Sequence, residues 1–230
     1  MPDLSWTLPV VRWSFWSSAQ EYPPELAFVD PMMRRRLSSL SRMALKVADD
    51  CIEPQRATRV VFASRHGELR RTTDILRDIE AGRLVSPNAF SLSVLNAMSG
   101  LFGIARRDRS AATAISAGAE TLGYALLEAH AQYADQPGSP VLVVYADEPA
   151  DACYGPIEQE VERSAFALLL DASKTAQGQL TCSVTHAGGE QGGAFATQSE
   201  ALCHCLSDGG AATWRGSGGS WHWSWHVGAA

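Results

Sequence analysis

Nowhere in the 230 residues does an apolar run reach the length that crosses a bilayer. A basic stretch followed by an apolar one is also missing at the start, where Asp3 and scattered tryptophans stand instead, so no secretory signal is expected. Basic residues do not predominate: the formal net charge is -6, which disfavours generic nucleic-acid binding. The five cysteines are odd in number and lack framework spacing, so a disulfide scaffold is not expected, and a reducing cytoplasmic setting is the simplest one. No internal repeat is visible, and no G-x-x-x-x-G-K pattern exists; Gly188-Gly189 and Gly192-Gly193 therefore read as a linker rather than a phosphate cradle.

What is present is enough apolar material for a sizeable core, 46% of the chain. Trp6 to Trp16 is rich in β-branched and aromatic residues and reads as a first strand. After a Pro23-Pro24 loop, Asp30 as N-cap and Pro31 at the first helical position open a helix that keeps its period to about Ala48. Arg59 to Ser64 reads as a strand, and Thr72 to Glu80 as a helix closed by Gly82. From Phe90 to Phe102, the residues Phe90, Val94, Ala97, Met98 and Leu101 recur on one helical face. Arg106 to Arg109 reads as an exposed turn.

Ala111 to Ile115 reads as a short central strand, Ser116 to Gly118 as a tight turn, and Glu120 to Tyr133 as a helix apolar nearly all round, hence buried. Val141 to Tyr145, Ala165 to Leu170 and Leu180 to Thr185 read as further strands, the first buried on both faces of a parallel sheet. The short link between the first two suggests an antiparallel pair at the sheet edge. Thr197 to Leu206 reads as a helix and Ser220 to Val227 as a strand, with Trp221, Trp223 and Trp225 on one face and His222, Ser224 and His226 on the other. The alternation implies an α/β fold: a mostly parallel sheet with helices on both faces, in one domain over residues 1–230, with 186–230 as a C-terminal extension.

A strand-turn-helix junction often presents a nucleophile to the positive end of a helix. Thr113-Ala114-Ile115-Ser116-Ala117-Gly118 resembles the nucleophile elbow of β-ketoacyl synthases, Thr-Ala-Cys-x-Ser/Thr-Gly, with isoleucine in place of the cysteine. Met32 to Ala48 is similar to their Arg-rich early helix, Ser86 to Gly100 to their Ser-Pro…Asn-x-x-x-Gly segment, and Val161 to Leu170 to their Gly-Glu-Gly-Ala strand without the glycines. Gly103 to Ser110 stands where they lead into the elbow strand. SRHGEL, SPNAFSLSVLNAMSG and ATAISAG together resemble the short ketosynthase-like chain length factors of aryl polyene and related pigment clusters. The resemblance covers Met32 to Leu170 well and the tail less well.

The resemblance implies the N-terminal half of a thiolase-like fold, with the C-terminal half and its His-Gly-Thr-Gly-Thr and Gly-His motifs missing. It implies a catalytically silent subunit, because Ile115 cannot attack a thioester. It further implies a heterodimer with a full-length β-ketoacyl synthase, transient contact with acyl carrier protein, and no cofactor. The segment carrying Phe90, Val94, Met98, Leu101 and Phe102 would face the partner's acyl tunnel, a role compatible with core packing. The strand Ser110, Ala111, Ala112, Thr113, Ala114 and Ile115 would pair with the partner, and proline at Thr113 would break that pairing if its N–H points outward.

Two rival readings remain. One is an acyltransferase or hydrolase using Ser116, although Ala114 replaces the first glycine of G-x-S-x-G and a serine capping the following helix is the simpler role. The other is a homodimeric acyl-chain binding protein. Cys203-His204-Cys205 beside His222 and His226 lacks structural zinc spacing, so no metal is expected. The run Arg34-Arg35-Arg36 reads as a solvated helix face that is also able to receive an acidic partner.

Overall fold

The computed structural model describes residues 3–20, 24–54, 56–186 and 195–228. The Gly188 to Gly193 linker and Pro23 of the first loop lie outside them. Eight strands form one sheet: β1 (Leu4–Ser17), β2 (Arg59–Ala63), β3 (Ala112–Ile115), β4 (Val141–Asp147), β5 (Ser164–Leu170), β6 (Gly178–Thr185), β7 (Ala211–Arg215) and β8 (Ser220–Val227). Their spatial order is β3-β2-β4-β5-β1-β6-β8-β7. The helices are α1 (Pro31–Arg34), α2 (Ser39–Cys51), α3 (Leu69–Glu80), α4 (Pro87–Ser91), α5 (Ala97–Arg106), α6 (Thr121–Asp135) and α7 (Gln198–Asp208). None of them is long and apolar enough to cross a membrane.

The strands alternate their side chains between two cores. Val61, Val143, Phe166, Leu168, Leu8 and Leu180 point to the face covered by α6 and α7. Val60, Phe62, Val144, Ala167 and Leu169 point to the face covered by α2 and α5. Every residue of β4 and β5 is buried, as strands with both faces covered must be. Burying a side chain such as Phe166 contributes about 1.5–3 kcal/mol, so these two strands anchor the domain.

Strand direction departs from the mostly parallel expectation. Only β2 pairs in parallel, with β3 on one side and β4 on the other. The pairs β4–β5, β5–β1, β1–β6, β6–β8 and β8–β7 are all antiparallel. Thus β4 and β5 are antiparallel as expected, but they lie inside the sheet, because the N-terminal strand β1 inserts between β5 and β6. The elbow strand β3, expected at the centre, is an edge strand. Strand β7 adds to the strands read from the sequence, pairing with β8 at the far edge of the sheet.

Two predicted helices are each broken. Asp30 caps α1 as its pattern requires, accepting from the amides of Met32 and Met33 at 2.8 and 3.4 Å. The chain then leaves the helix, and Ser38 starts α2 by accepting from the Ser41 amide at 3.0 Å. Similarly, Phe90 ends in α4 whereas Met98, Leu101 and Phe102 belong to α5. Between them, the Ser91 and Ser93 hydroxyls donate to the carbonyls of Asn88 and Phe90, offering the backbone an alternative to helix continuation. The five apolar residues therefore do not share one face. Met98, Leu101 and Phe102 are buried in the second core, while Phe90 and Val94 are 66% and 48% exposed.

The tail alternates as its sequence pattern requires. Trp221, Trp223 and Trp225 are buried, and His222, Ser224 and His226 turn away from the core. Helix α6 buries Leu122, Ala125, Leu126 and Ala129, while Tyr124, Leu127 and Tyr133 stay half-buried, so it is one-sided rather than buried all round.

Candidate functional site

The elbow sits at the C-terminal ends of the parallel strands, the usual site of chemistry in α/β sheets. Ile115 closes β3 and packs, half-buried, on the first core. The turn then spends five residues, with Gly118 at φ +59°, before α6 begins at Thr121. Ser116 does not cap that helix. Its hydroxyl donates to the Arg65 carbonyl at 3.0 Å, with no histidine or carboxylate in that bond. The turn is held by Thr121 instead, whose hydroxyl accepts from the Ala117 amide at 2.9 Å and donates to the Gly118 carbonyl at 2.7 Å. An α6 amide, that of Gly123, donates to the Gln198 side-chain oxygen at 2.8 Å. This link from α7 crosses 75 residues of sequence, which no local pattern carries.

Beneath the elbow lies the loop that follows β2. The Asp147 carboxylate, fully buried at the end of β4, accepts from the Ser64 hydroxyl at 2.8 Å. It also accepts from the backbone amides of Arg65 and His66 at 2.8 and 3.0 Å. Burial raises the Asp147 acid above the usual carboxylate range, and these donors offset that only in part. The Arg65 guanidinium donates to the carbonyls of Glu158 and Gln159, and His66 Nε2 lies 2.7 Å from Glu160 Oε1. Loop, elbow and the β4–β5 connection are thus one hydrogen-bonded unit.

A thiolate nucleophile needs a lowered pKa. All five cysteines move the other way. Burial pushes Cys51 up to about 12 and Cys205 to about 11, and raises Cys182 and Cys203 as well. Cys153 is raised by its hydrogen bond to Asp151. The cysteines and histidines near the tail make separate contacts: Cys205 donates to the Gly210 carbonyl, His204 pairs with Asp208 at 3.2 Å, and His222 shares a hydrogen bond with Thr213 at 2.9 Å.

The other feature of the site is a free sheet edge. The carbonyls of Ala111 and Ile115 accept from the amides of Val60 and Ser64 on the β2 side. By strand alternation Thr113 also faces β2, and Ala112 and Ala114 direct their N–H and C=O groups outward. Beside that edge runs a cleft of about 670 Å³, lined by Gly100, Gly103 and Ile104 of α5 and by Arg107, Arg109 and Ala112. Exposed apolar side chains concentrate nearby in sequence. Among the described residues ten large ones are exposed, and Leu76, Ile79, Leu84, Phe90, Val94 and Ile104 make up six of them. A monomer seldom leaves such a concentration to water without a reason.

A family model described as "Beta-ketoacyl synthase, N-terminal domain" matches residues 12–224. A solved structure titled as a ketosynthase (ApeO) in complex with its chain length factor (ApeC), from Xenorhabdus doucetiae, contains a similar chain. The similarity has a TM-score of 0.76 at 24% identity, covering 95% of this chain and 99% of that one. The ishigamide ketosynthase/chain length factor gives a TM-score of 0.52 at 19% identity over 67% of this chain and 49% of that one. A β-ketoacyl synthase from Burkholderia phymatum gives 0.55 at 14% identity over 75% and 54%. The matches thus span about half the length of these last two chains. No curated protein matches the sequence. The likenesses establish a thiolase-like α/β fold.

Proposed function

Because this chain belongs to the family of β-ketoacyl synthase N-terminal domains, we propose that it is a non-catalytic chain length factor. In this reading it pairs with an active β-ketoacyl synthase and shapes the acyl tunnel of polyene or fatty-acid-type synthesis. The observation that carries the reading is the elbow itself. Its nucleophile position holds Ile115, whose hydrocarbon side chain forms no thioester, and the neighbouring Ser116 hydroxyl donates to a carbonyl rather than to a base. A hydroxyl with no general base is a poor nucleophile at neutral pH, which counts against the acyltransferase reading.

Partnering is supported by the free β3 edge and the exposed apolar side chains close to it in sequence. The similar chain of the Xenorhabdus doucetiae structure comes from a ketosynthase–chain length factor complex, an assembly consistent with the role proposed here. Acyl carrier protein would visit this assembly transiently, in the cytoplasm.

The test is condensation. The purified chain, given acyl- and malonyl-loaded carrier protein, is expected to form no ketoacyl product by mass spectrometry and to acquire no acyl mass. Product above blank that disappears in Ser116→Ala would overturn the non-catalytic reading.

Tunnel shaping falls to the exposed residues of the segment, Phe90 and Val94; Met98, Leu101 and Phe102 support them from the core. Val94→Trp is therefore expected to leave complex formation intact and to shorten the products of a reconstituted complex by at least one two-carbon unit. The same enlargement at buried Met98 overpacks the core at about 1–3 kcal/mol and tests stability instead. Unchanged product length in Val94→Trp removes this residue from the tunnel wall.

A further inference from the structure

We propose that Gln159 is a positioning residue that straps the tail hairpin, β7–β8, to the elbow, so that the last strands of the sheet help to hold the β3–α6 turn in place. Its backbone is the first sign. Among the described residues only Arg107 and Gln159 are non-glycines with positive φ, at +55° and +51°. Arg107 is the C-cap of α5, where a left-handed residue is ordinary. Gln159 caps no helix. It stands in a turn of the β4–β5 connection, where glycine would take the same conformation without strain. Such strain persists only where the surrounding contacts over-determine it.

Those contacts run in two directions. The side-chain Nε2 of Gln159 donates to the carbonyl of Arg215, the last residue of β7, at 2.9 Å. Its own carbonyl accepts from Arg65 Nη1, and the neighbouring Glu158 carbonyl accepts from Arg65 Nη2 at 3.0 Å. The Arg65 carbonyl in turn accepts from the Ser116 hydroxyl at 3.0 Å. The path from tail to elbow therefore runs through Arg215, Gln159, Arg65 and Ser116, which come from four separate segments of the chain. The other leg of the hairpin reaches the same turn by its own route. The Trp221 N–H, at the start of β8, donates to Glu120, and Gly218 of the hairpin turn packs so closely on that carboxylate that a Cβ there would clash. The hairpin is thus tied to both ends of the elbow turn, Ser116 and Glu120.

The elbow has little else to fix it beyond the Thr121 bonds. Ser116 and Gly118 are exposed, Ile115 is only half-buried, and β3 is paired on one side alone. A segment with few buried contacts opens locally at low cost, and a hydrogen-bonded tie raises that cost without enlarging the core.

Native-state hydrogen exchange of the full chain tests the strap. It is read at the amides of Ala117, Glu120 and Thr121, which bond within the elbow turn, and at the Gly216 amide, which closes the hairpin. Gln159→Gly removes the side-chain tie and the backbone strain together while keeping the carbonyl that Arg65 uses. It is expected to leave the melting temperature within about 3 °C of wild type and to speed elbow exchange at least fivefold. Arg65→Lys keeps the charge but loses the planar fork, and should loosen the elbow to a similar extent. Because the two ties lie in series, the double variant should exchange no more than twofold faster than the faster single one. Thr7→Val deletes an exposed hydroxyl pair with Thr181 off this path and is expected to stay within twofold of wild type. Unchanged elbow exchange in Gln159→Gly, independent multiplication of the two single effects, or equal loosening in Thr7→Val overturns the proposal. So does a larger fall in melting temperature in Gln159→Gly with exchange rising evenly across the sheet, which would make Gln159 a residue of general stability alone.

Discussion

Replacing Trp221 with alanine is expected to cost about 3–5 kcal/mol of stability, the usual range for removing a large buried aromatic. For a chain of this size, that lowers the melting temperature by roughly 6–20 °C. The ring is fully buried and contacted from every side: Trp6 lies 6.2 Å away edge-on, Tyr124 5.1 Å away, and Trp223 stacks at 6.5 Å. Its indole N–H donates to the half of Glu120 that faces it, at 3.2 Å, so the loss also leaves a buried carboxylate oxygen with one donor fewer.

Gly123 of α6 is the seat for this ring, since a Cβ there would stand 2.4 Å from Trp221 ring carbons. Alanine normally favours a helix over glycine by about 1 kcal/mol. Here the clash wins, because overpacking against a ring fixed on several sides costs about 1–3 kcal/mol. Gly123→Ala should therefore melt below wild type, and adding it to Trp221→Ala should cost less than the sum, since the clash partner is gone. Thermal melts of the two single variants and the double variant decide this. A Trp221→Ala loss under about 1 kcal/mol, or strict additivity, would mean that the tail does not seal α6.

The tail's alternation was legible because period-2 patterning is local: Trp221, Trp223 and Trp225 can share a face only in a strand. The companion strand β7 carries a local signal of the same kind. Ala212 and Trp214 alternate before Gly216 to Gly219, and a glycine-rich turn between alternating segments marks a hairpin. Sheet order was not legible. The position of β1 between β5 and β6 depends on pairings such as Val10 with both Leu170 and Gly178, far away in sequence. Each strand's own residues say only that it is buried, not which neighbour buries it.

At the elbow, the residues that stand there, Ile115 and Ser116, were readable one by one. What holds the elbow was not. Asp147 lies more than 80 residues from Ser64 and from the Arg65 and His66 amides that it gathers. A lone aspartate after an apolar strand gives no hint of three donors converging on it. The helix breaks were half legible, since Ser38 and Ser93 are residues that compete for backbone groups, but only the structure shows that they do so at these turns.

Proline placed along β3 is expected to separate partner pairing from internal pairing, and the register fixes which position does which. Val60 and Ser64 donate to the carbonyls of Ala111 and Ile115, so the odd positions of the strand, Thr113 included, face β2. Thr113→Pro therefore removes an internal N–H and should destabilise the chain itself, rather than reporting on a partner. Ala112→Pro and Ala114→Pro remove N–H groups that face outward, and should leave the melting temperature of the isolated chain within a few degrees of wild type. If an antiparallel strand of the ketosynthase completes the sheet at this edge, each should weaken the complex at least tenfold. The loss is a strand hydrogen bond together with the misfit of the ring against the incoming strand. No charge on β3 itself blocks such an addition, whereas Arg107 and Arg109 stand just before it. Co-purification with the ketosynthase and melts of the isolated variants read the two effects apart. Undiminished co-purification in both outward-facing variants would exclude the β3 edge as the interface, whereas loss confined to Thr113→Pro would reduce the pairing to an effect of folding.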